Sequence, residues 1–255
     1  MSAYVSAAID VQRVLIVGAG TMGTGIAQVA ARAGYRTEIF DVASGAAQRS
    51  LERVGDSLAR AVEKGRCTAE ERAQALQRLT VAPELDAAAA TADLIVEAAP
   101  EDLELKKQLF ARFSRSAQPD AILATNTSSL PITAIASAAK GPERVVGLHF
   151  FNPVPAMKLL EIVQGERTHP MVVTAARAVG ARLGKEVVVV RDAPGSPPAG
   201  SASRWRWRPS ACSRRESPPR KSSIARSSSA TGTRWDRSSS PTTSASTSAW
   251  PSPST

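Results

Sequence analysis

The chain has 255 residues, 43% of them hydrophobic and 22% charged, with a formal net charge of +9. That composition suits a globular protein of one large domain or two small ones. Two cysteines, Cys67 and Cys212, exclude a disulfide framework and a thiolate metal site; both read as free thiols, and no metal is expected. Met1–Asp10 lacks a basic start followed by a long apolar core, and no apolar run is long enough to span a bilayer. No membrane partner and a cytoplasmic location are therefore expected.

In chain order, a strand predicted over Val14–Val17 runs into Gly18-Ala19-Gly20-Thr21-Met22-Gly23 and then into a helix, Met22–Ala33. This is the pattern of a diphosphate cradle. Gly18 allows the tight turn, Gly20 lets the backbone approach phosphates, Gly23 permits close packing of helix on strand, and the diphosphate sits on the helix N-terminus. A second strand, Thr37–Phe40, ends at Asp41, 23 residues after Gly18, where the fold places the acid that grips an adenosine ribose diol. A carboxylate there repels a 2′-phosphate, so NAD is favoured over NADP.

Helices follow over Ser44–Lys64 and Ala69–Gln77, the second opened by a capping box of Thr68 and Glu71. The remaining predicted strands are Leu94–Glu97, Ala121–Ala124, Arg144–Leu148, Leu159–Val163 and Glu186–Val190, with helices at Asp102–Arg115 and Met171–Leu183. Short apolar strands alternating with amphipathic helices predict an α/β fold, a Rossmann-like doubly wound and mostly parallel sheet, over residues 1–195.

The polar run Asn126-Thr127-Ser128-Ser129-Leu130 follows a buried strand, which sets it at the carboxyl edge of the sheet where such folds hold ligands. His149 also ends a strand, and Glu161 lies inside an apolar one, where a carboxylate needs a partner; His149 is the candidate. A histidine held by a carboxylate with a hydroxyl nearby suits proton transfer coupled to hydride transfer. Taken alone, a histidine among Leu148, Phe150 and Phe151 is more often a satisfied core residue, and Asn126, Ser128 and Ser129 read equally as turn formers.

The glycine fingerprint with Met22, the Asn126–Leu130 loop and His149-Phe150-Phe151-Asn152-Pro153 together resemble the NAD-dependent (S)-3-hydroxyacyl-CoA dehydrogenases, including the 3-hydroxybutyryl-CoA type, over roughly residues 10–195. The resemblance implies reversible oxidation of a (S)-3-hydroxyacyl-CoA to the 3-oxoacyl-CoA in fatty-acid or butanoate metabolism. It implies His149 as general base, Glu161 as its orienting partner and Ser128 as a hydrogen-bond donor to the substrate's 3-oxygen. By the same resemblance the cofactor would be met by Gly18, Ala19, Gly20, Thr21, Met22, Gly23, Asp41 and Asn126, with Glu101, Lys106 and Asn152 near its nicotinamide half. Ser57 and Lys64 match positions that contact coenzyme A. Read without the family, Glu101 and Lys106 are solvated helix charges, Asn152 is a turn amide, and Ser57 and Lys64 are surface residues.

Composition breaks at Gly195. Residues 196–255 hold 19 serines, all four tryptophans (Trp205, Trp207, Trp235, Trp250), 10 of the 32 Lys+Arg and only 2 of the 23 Asp+Glu. Such a segment cannot bury a core and reads as a disordered, non-native tail. The family continues with a helical domain that completes the acyl-CoA site and forms a homodimer interface. Here Ala199 stands where its active-site asparagine is typical, so impaired turnover and loss of that interface are expected. A shifted reading frame accounts for the change. If Thr233-Arg234-Trp235-Asp236-Arg237 is encoded in GC-rich codons, reading one base earlier gives His-Pro-Met-Gly-Pro, a signature of the family's helical domain. In the same frame Arg204-Trp205-Arg206-Trp207 can become Ala-Val-Ala-Leu. A rival reading has Arg204–Arg237 binding nucleic acid by phosphate contacts and stacking; nothing else in the chain supports it, and no nucleic-acid partner is expected. The alternative to a dehydrogenase is an NAD-binding module without catalysis.

Overall fold

The computed structural model describes residues 9–192. Eight strands form one sheet: β1 (Arg13–Val17), β2 (Arg36–Phe40), β3 (Leu79–Val81), β4 (Leu94–Glu97), β5 (Ile122–Thr125), β6 (Val145–Phe150), β7 (Leu159–Gln164) and β8 (Glu186–Arg191). Their order is β3-β2-β1-β4-β5-β6-β7-β8. Every neighbouring pair is parallel except β6–β7, so the sheet is the doubly wound, mostly parallel one that the alternation of elements predicts. The chain winds outward from β1 in one direction and from β4 in the other. The connections leaving their carboxyl ends therefore run to opposite faces of the sheet, which makes this edge the switch point at which open α/β sheets take ligands.

The helices are α1 (Thr21–Arg32), α2 (Ala46–Glu63), α3 (Ala69–Gln77), α4 (Leu85–Ala89), α5 (Leu103–Ser116), α6 (Ile132–Ala136) and α7 (Pro170–Arg182), with a 3₁₀ turn at Pro142–Arg144. On one face of the sheet Val14, Ile16, Val96, Ala124 and Leu148 join residues of α1 and α7 in a continuous core. Because side chains alternate along a strand, Leu15, Ile95 and Leu123 are buried on the opposite face. The α3 N-terminus forms both halves of the expected capping box: Thr68 accepts from the Glu71 amide, and Glu71 accepts from the Thr68 amide.

Four elements are absent from the sequence reading: β3, α4, α6 and the 3₁₀ turn. Each has three to five residues, fewer than two turns or three alternations, so none carries a period that hydrophobicity can reveal. Two strands also lie further along the chain than predicted, β5 by one residue at Ile122–Thr125 and β6 at Val145–Phe150, starting one residue later and ending two later. The serine-rich segment 196–255, with Ala199, Cys212 and the four tryptophans, lies outside the described residues. Cys67 is buried and free, and among the described residues no helix is long and apolar enough to cross a membrane.

Candidate active site

The glycine turn joins β1 to α1 with no room for side chains at two of its three glycines. Gly18 has φ +109°, and a Cβ there would stand 2.6 Å from the Ala98 carbonyl oxygen, at the end of the neighbouring β4. A Cβ on Gly23 would lie 1.8 Å from the Gly18 carbonyl oxygen. Gly20 is different: nothing lies within 4 Å of where its Cβ would be, so the space in front of the turn is open. Gly20 also caps α1 without any side-chain hydrogen bond, and the first turn carries no acid. The first amides of α1, beginning at exposed Thr21 and half-buried Met22, thus have neither a side-chain cap nor a first-turn acid beside that opening. This arrangement fits a diphosphate.

Asp41 stands at the end of β2 beside the same turn. Its Oδ2 accepts from the Ala19 amide at 2.7 Å and its Oδ1 from the Ala43 amide at 2.8 Å. Each oxygen keeps a further lone pair, enough to accept from a vicinal diol.

At the ends of β4 and β5 the site is made of side chains. Glu97, fully buried, accepts from Lys106 Nζ (2.7 Å), the Ala99 amide (2.6 Å) and Thr125 Oγ1 (2.6 Å). Lys106, on α5, is 1% exposed and lies 3.5 Å from Glu101 Oε2. The reading of Lys106 as a solvated charge is therefore corrected: its stem is packed into the core and its ammonium is neutralised by Glu97. Glu101 gathers the loop after β5. Its Oε1 accepts from Thr127 Oγ1 (2.6 Å), the Ser128 amide (3.0 Å) and Ser129 Oγ (2.9 Å), with Ser128 Oγ at 3.4 Å. Partial burial alone pushes its pKa up, but hydrogen bonds from Thr127 and Ser129, the Lys106 charge and the Ser128 amide together hold it below the usual value. Asn126 Oδ1 accepts from the Phe150 amide at 2.9 Å, tying this loop to β6, and the Asn126 NH₂ has no hydrogen-bond partner among the described residues.

The antiparallel β6–β7 pairing sets His149 directly opposite Glu161. Nδ1 of His149 lies 2.9 Å from Glu161 Oε2, and the ring stacks obliquely on Phe151 at 4.4 Å between centroids. His149 is 8% exposed, and its Nε2 has no hydrogen-bond partner among the described residues. Asn152 is exposed just beyond, ahead of Pro153. Ser57, half-buried on α2, and Lys64, exposed at its C-cap, make no hydrogen bond or ion pair to the groups above. Glu97 and Arg53 escape the sequence reading. Glu97 has a signal, a carboxylate ending the apolar strand Leu94-Ile95-Val96; Arg53 has none, because its bond to the Ala19 carbonyl at 2.6 Å depends on how α2 packs beside the glycine turn.

A mostly parallel sheet with an open glycine cradle at its switch point and an acid ending the second strand defines a dinucleotide-binding domain of the Rossmann class. Residues 13–193 match the family described as 3-hydroxyacyl-CoA dehydrogenase, NAD binding domain, and the chain belongs to that family. It is 45% identical over 187 residues to the 3-hydroxyadipyl-CoA dehydrogenase of Escherichia coli, which spans 73% of this chain and 39% of that one. It is 43% identical over 187 residues to the 3-hydroxybutyryl-CoA dehydrogenase of Mycobacterium tuberculosis, 72% of this chain and 65% of that one. The crystal structure of (S)-3-hydroxybutyryl-CoA dehydrogenase from Ralstonia eutropha superposes with a TM-score of 0.70 at 36% identity, covering 73% of this chain and 65% of that one. The chain thus spans less than two thirds of the length of each of these relatives.

Proposed function

We propose that this chain binds NAD and carries the proton-transfer half of a 3-hydroxyacyl-CoA dehydrogenase, the reversible oxidation of a (S)-3-hydroxyacyl-CoA to its 3-oxoacyl-CoA. The observation that carries the reading is the His149–Glu161 pair, 2.9 Å apart at the carboxyl edge of the cradle's own sheet. Bound in the cradle, NAD supplies the hydride acceptor. Gly20 and the first amides of α1 take its diphosphate, together with Gly18, Ala19, Thr21, Met22 and Gly23 as the turn that shapes them, and Asp41 accepts from the adenosine ribose.

His149 takes the proton of the substrate hydroxyl at Nε2. With Nδ1–H donating to Glu161, the neutral ring presents its lone pair at Nε2, and the carboxylate stabilises the imidazolium that forms. Ser128 Oγ donates to the 3-oxygen, where negative charge grows in the reduction direction. Glu101 holds Ser128 by its amide, while the single hydroxyl proton of Ser128, with Oγ 3.4 Å from Glu101, turns to the substrate; Lys106 holds Glu101, and Asn126 and Asn152 present amides at the nicotinamide side. Ser57 and Lys64 meet coenzyme A, Lys64 as a point charge toward its phosphates.

The test is acetoacetyl-CoA-dependent oxidation of NADH by the purified chain and by His149→Ala. A fall of about 10²-fold or more in the variant is expected; equal rates in the two proteins would leave an NAD-binding module without catalysis. We further propose that residues 196–255 arise from a shifted reading frame. Sequencing the coding DNA around the Gly195 codon is expected to show one base gained or lost relative to homologous genes, and an intact frame would make the segment genuine.

A further inference from the structure

Among the described residues, one cation at the cradle has no acidic partner. Arg53, on α2, donates from Nη2 to the Ala19 carbonyl oxygen at 2.6 Å and to Thr24 Oγ1 at 3.2 Å. No carboxylate lies within 4 Å of it among the described residues. Its Nη1 and Nε groups likewise have no hydrogen-bond partner there, although a guanidinium carries five donors. Residue Ala19 is consequently held at both ends by opposite charges, its amide by Asp41 and its carbonyl by Arg53.

The electrostatics of the turn give that cation a purpose. Asp41 places a full negative charge against the loop, while the α1 terminus offers only about half a positive charge. A diphosphate entering the open space at Gly20 would meet repulsion from Asp41 that the helix dipole alone does not offset. Of the side chains bonded to the turn, Arg53 is the one that carries a positive charge, and it is exposed. Its fork is also the geometry that suits a phosphate oxygen pair.

Resting on the dinucleotide reading above, we infer that Arg53 is a further binding residue of the cradle. Its Nη2 fixes the Ala19 carbonyl, and its remaining donors meet the diphosphate of the bound dinucleotide. It thereby balances the charge of Asp41 without competing for the ribose.

NADH fluorescence titration of the whole chain tests this, comparing Arg53→Ala, Arg53→Lys and Arg60→Ala, which removes a cation from the same face of α2 two turns further along. Arg53→Ala is expected to weaken NADH about tenfold and to flatten the dependence of affinity on salt. Arg53→Lys should recover part of the loss, and Arg60→Ala should leave affinity unchanged. Adenosine, which has no phosphate, should bind Arg53→Ala within twofold of the original chain when followed by NMR. Unchanged NADH affinity in Arg53→Ala overturns the inference. So does an equal loss for adenosine, which would make Arg53 only a lock on the loop, or a loss confined to NADPH, which would place it at a 2′-phosphate. An unaltered chain that takes up no NADH would instead remove the dinucleotide reading, and this inference with it.

Discussion

The two ends of the candidate site are made of different material. Around β1 and α1 the ligand surface is backbone: two glycines that tolerate no Cβ, one that leaves an opening, and uncapped amides. Around β4, β5, β6 and β7 it is side chain: Glu97 on Lys106, Glu101 on the Thr127–Ser129 hydroxyls, and His149 on Glu161. A backbone surface is shaped for a group common to many ligands, the diphosphate, and works by excluding atoms. A side-chain surface places particular protons, and depends on charges being paired at the right distance.

Substitutions that act on one material and not the other sharpen this contrast. The largest effect is expected on the side-chain region. Lys106→Met strands the fully buried Glu97 carboxylate and should lower stability in urea unfolding by about 3–5 kcal/mol. The double change Glu97→Gln with Lys106→Met should regain most of it, because no unpaired charge is then buried; a double variant no better than the single one would break the account. Next comes Gly23→Ala, which sets a methyl 1.8 Å from the Gly18 carbonyl oxygen and is expected to cost about 3 kcal/mol. Gly20→Ala, with open space in front of it, should keep full stability while weakening NADH, and equal melting temperatures for the two alanine variants would contradict the cradle's geometry.

Smaller effects separate chemistry from binding. Glu161→Gln should slow acetoacetyl-CoA reduction about 100-fold with NADH affinity intact, since Glu161 orients His149 and stabilises the imidazolium form used in proton transfer without touching the cradle. The smallest expected effect is on pH dependence. Glu101 has a folded pKa below its ordinary 4.5, so its contribution to stability is complete above that value and disappears as the pH falls through the lower folded one. With its side chain 38% exposed, solvent screening keeps the contribution small. Melting followed by circular dichroism from pH 6 to pH 3 should show a slightly shallower decline in Glu101→Gln; identical slopes would mean that the hydroxyl cluster does not favour the carboxylate.

The same division of material explains what the sequence reveals. Gly18, Gly20, Gly23 and Asp41 can be read from the chain because a backbone site writes itself as residue types at fixed spacing between a strand and a helix. The seven longer strands and five long helices are readable from their periods, whereas β3, α4 and α6 are too short to show one. His149 and Glu161 come together through a cross-strand register, which the buried-carboxylate argument anticipates. Glu97, at the end of Leu94-Ile95-Val96, needs a partner for the same reason, and Lys106, nine residues further along the chain, supplies it. Arg53 was beyond reach, because nothing local in α2 tells that one of its arginines meets the glycine turn.

A crystal structure of the chain with NADH and acetoacetyl-CoA tests the central claim most directly. The account predicts the diphosphate on the Gly20–Met22 amides, with the nicotinamide and the substrate's 3-oxygen both facing Nε2 of His149. A nicotinamide turned away from His149, or a diphosphate held elsewhere than on the α1 terminus, would contradict it.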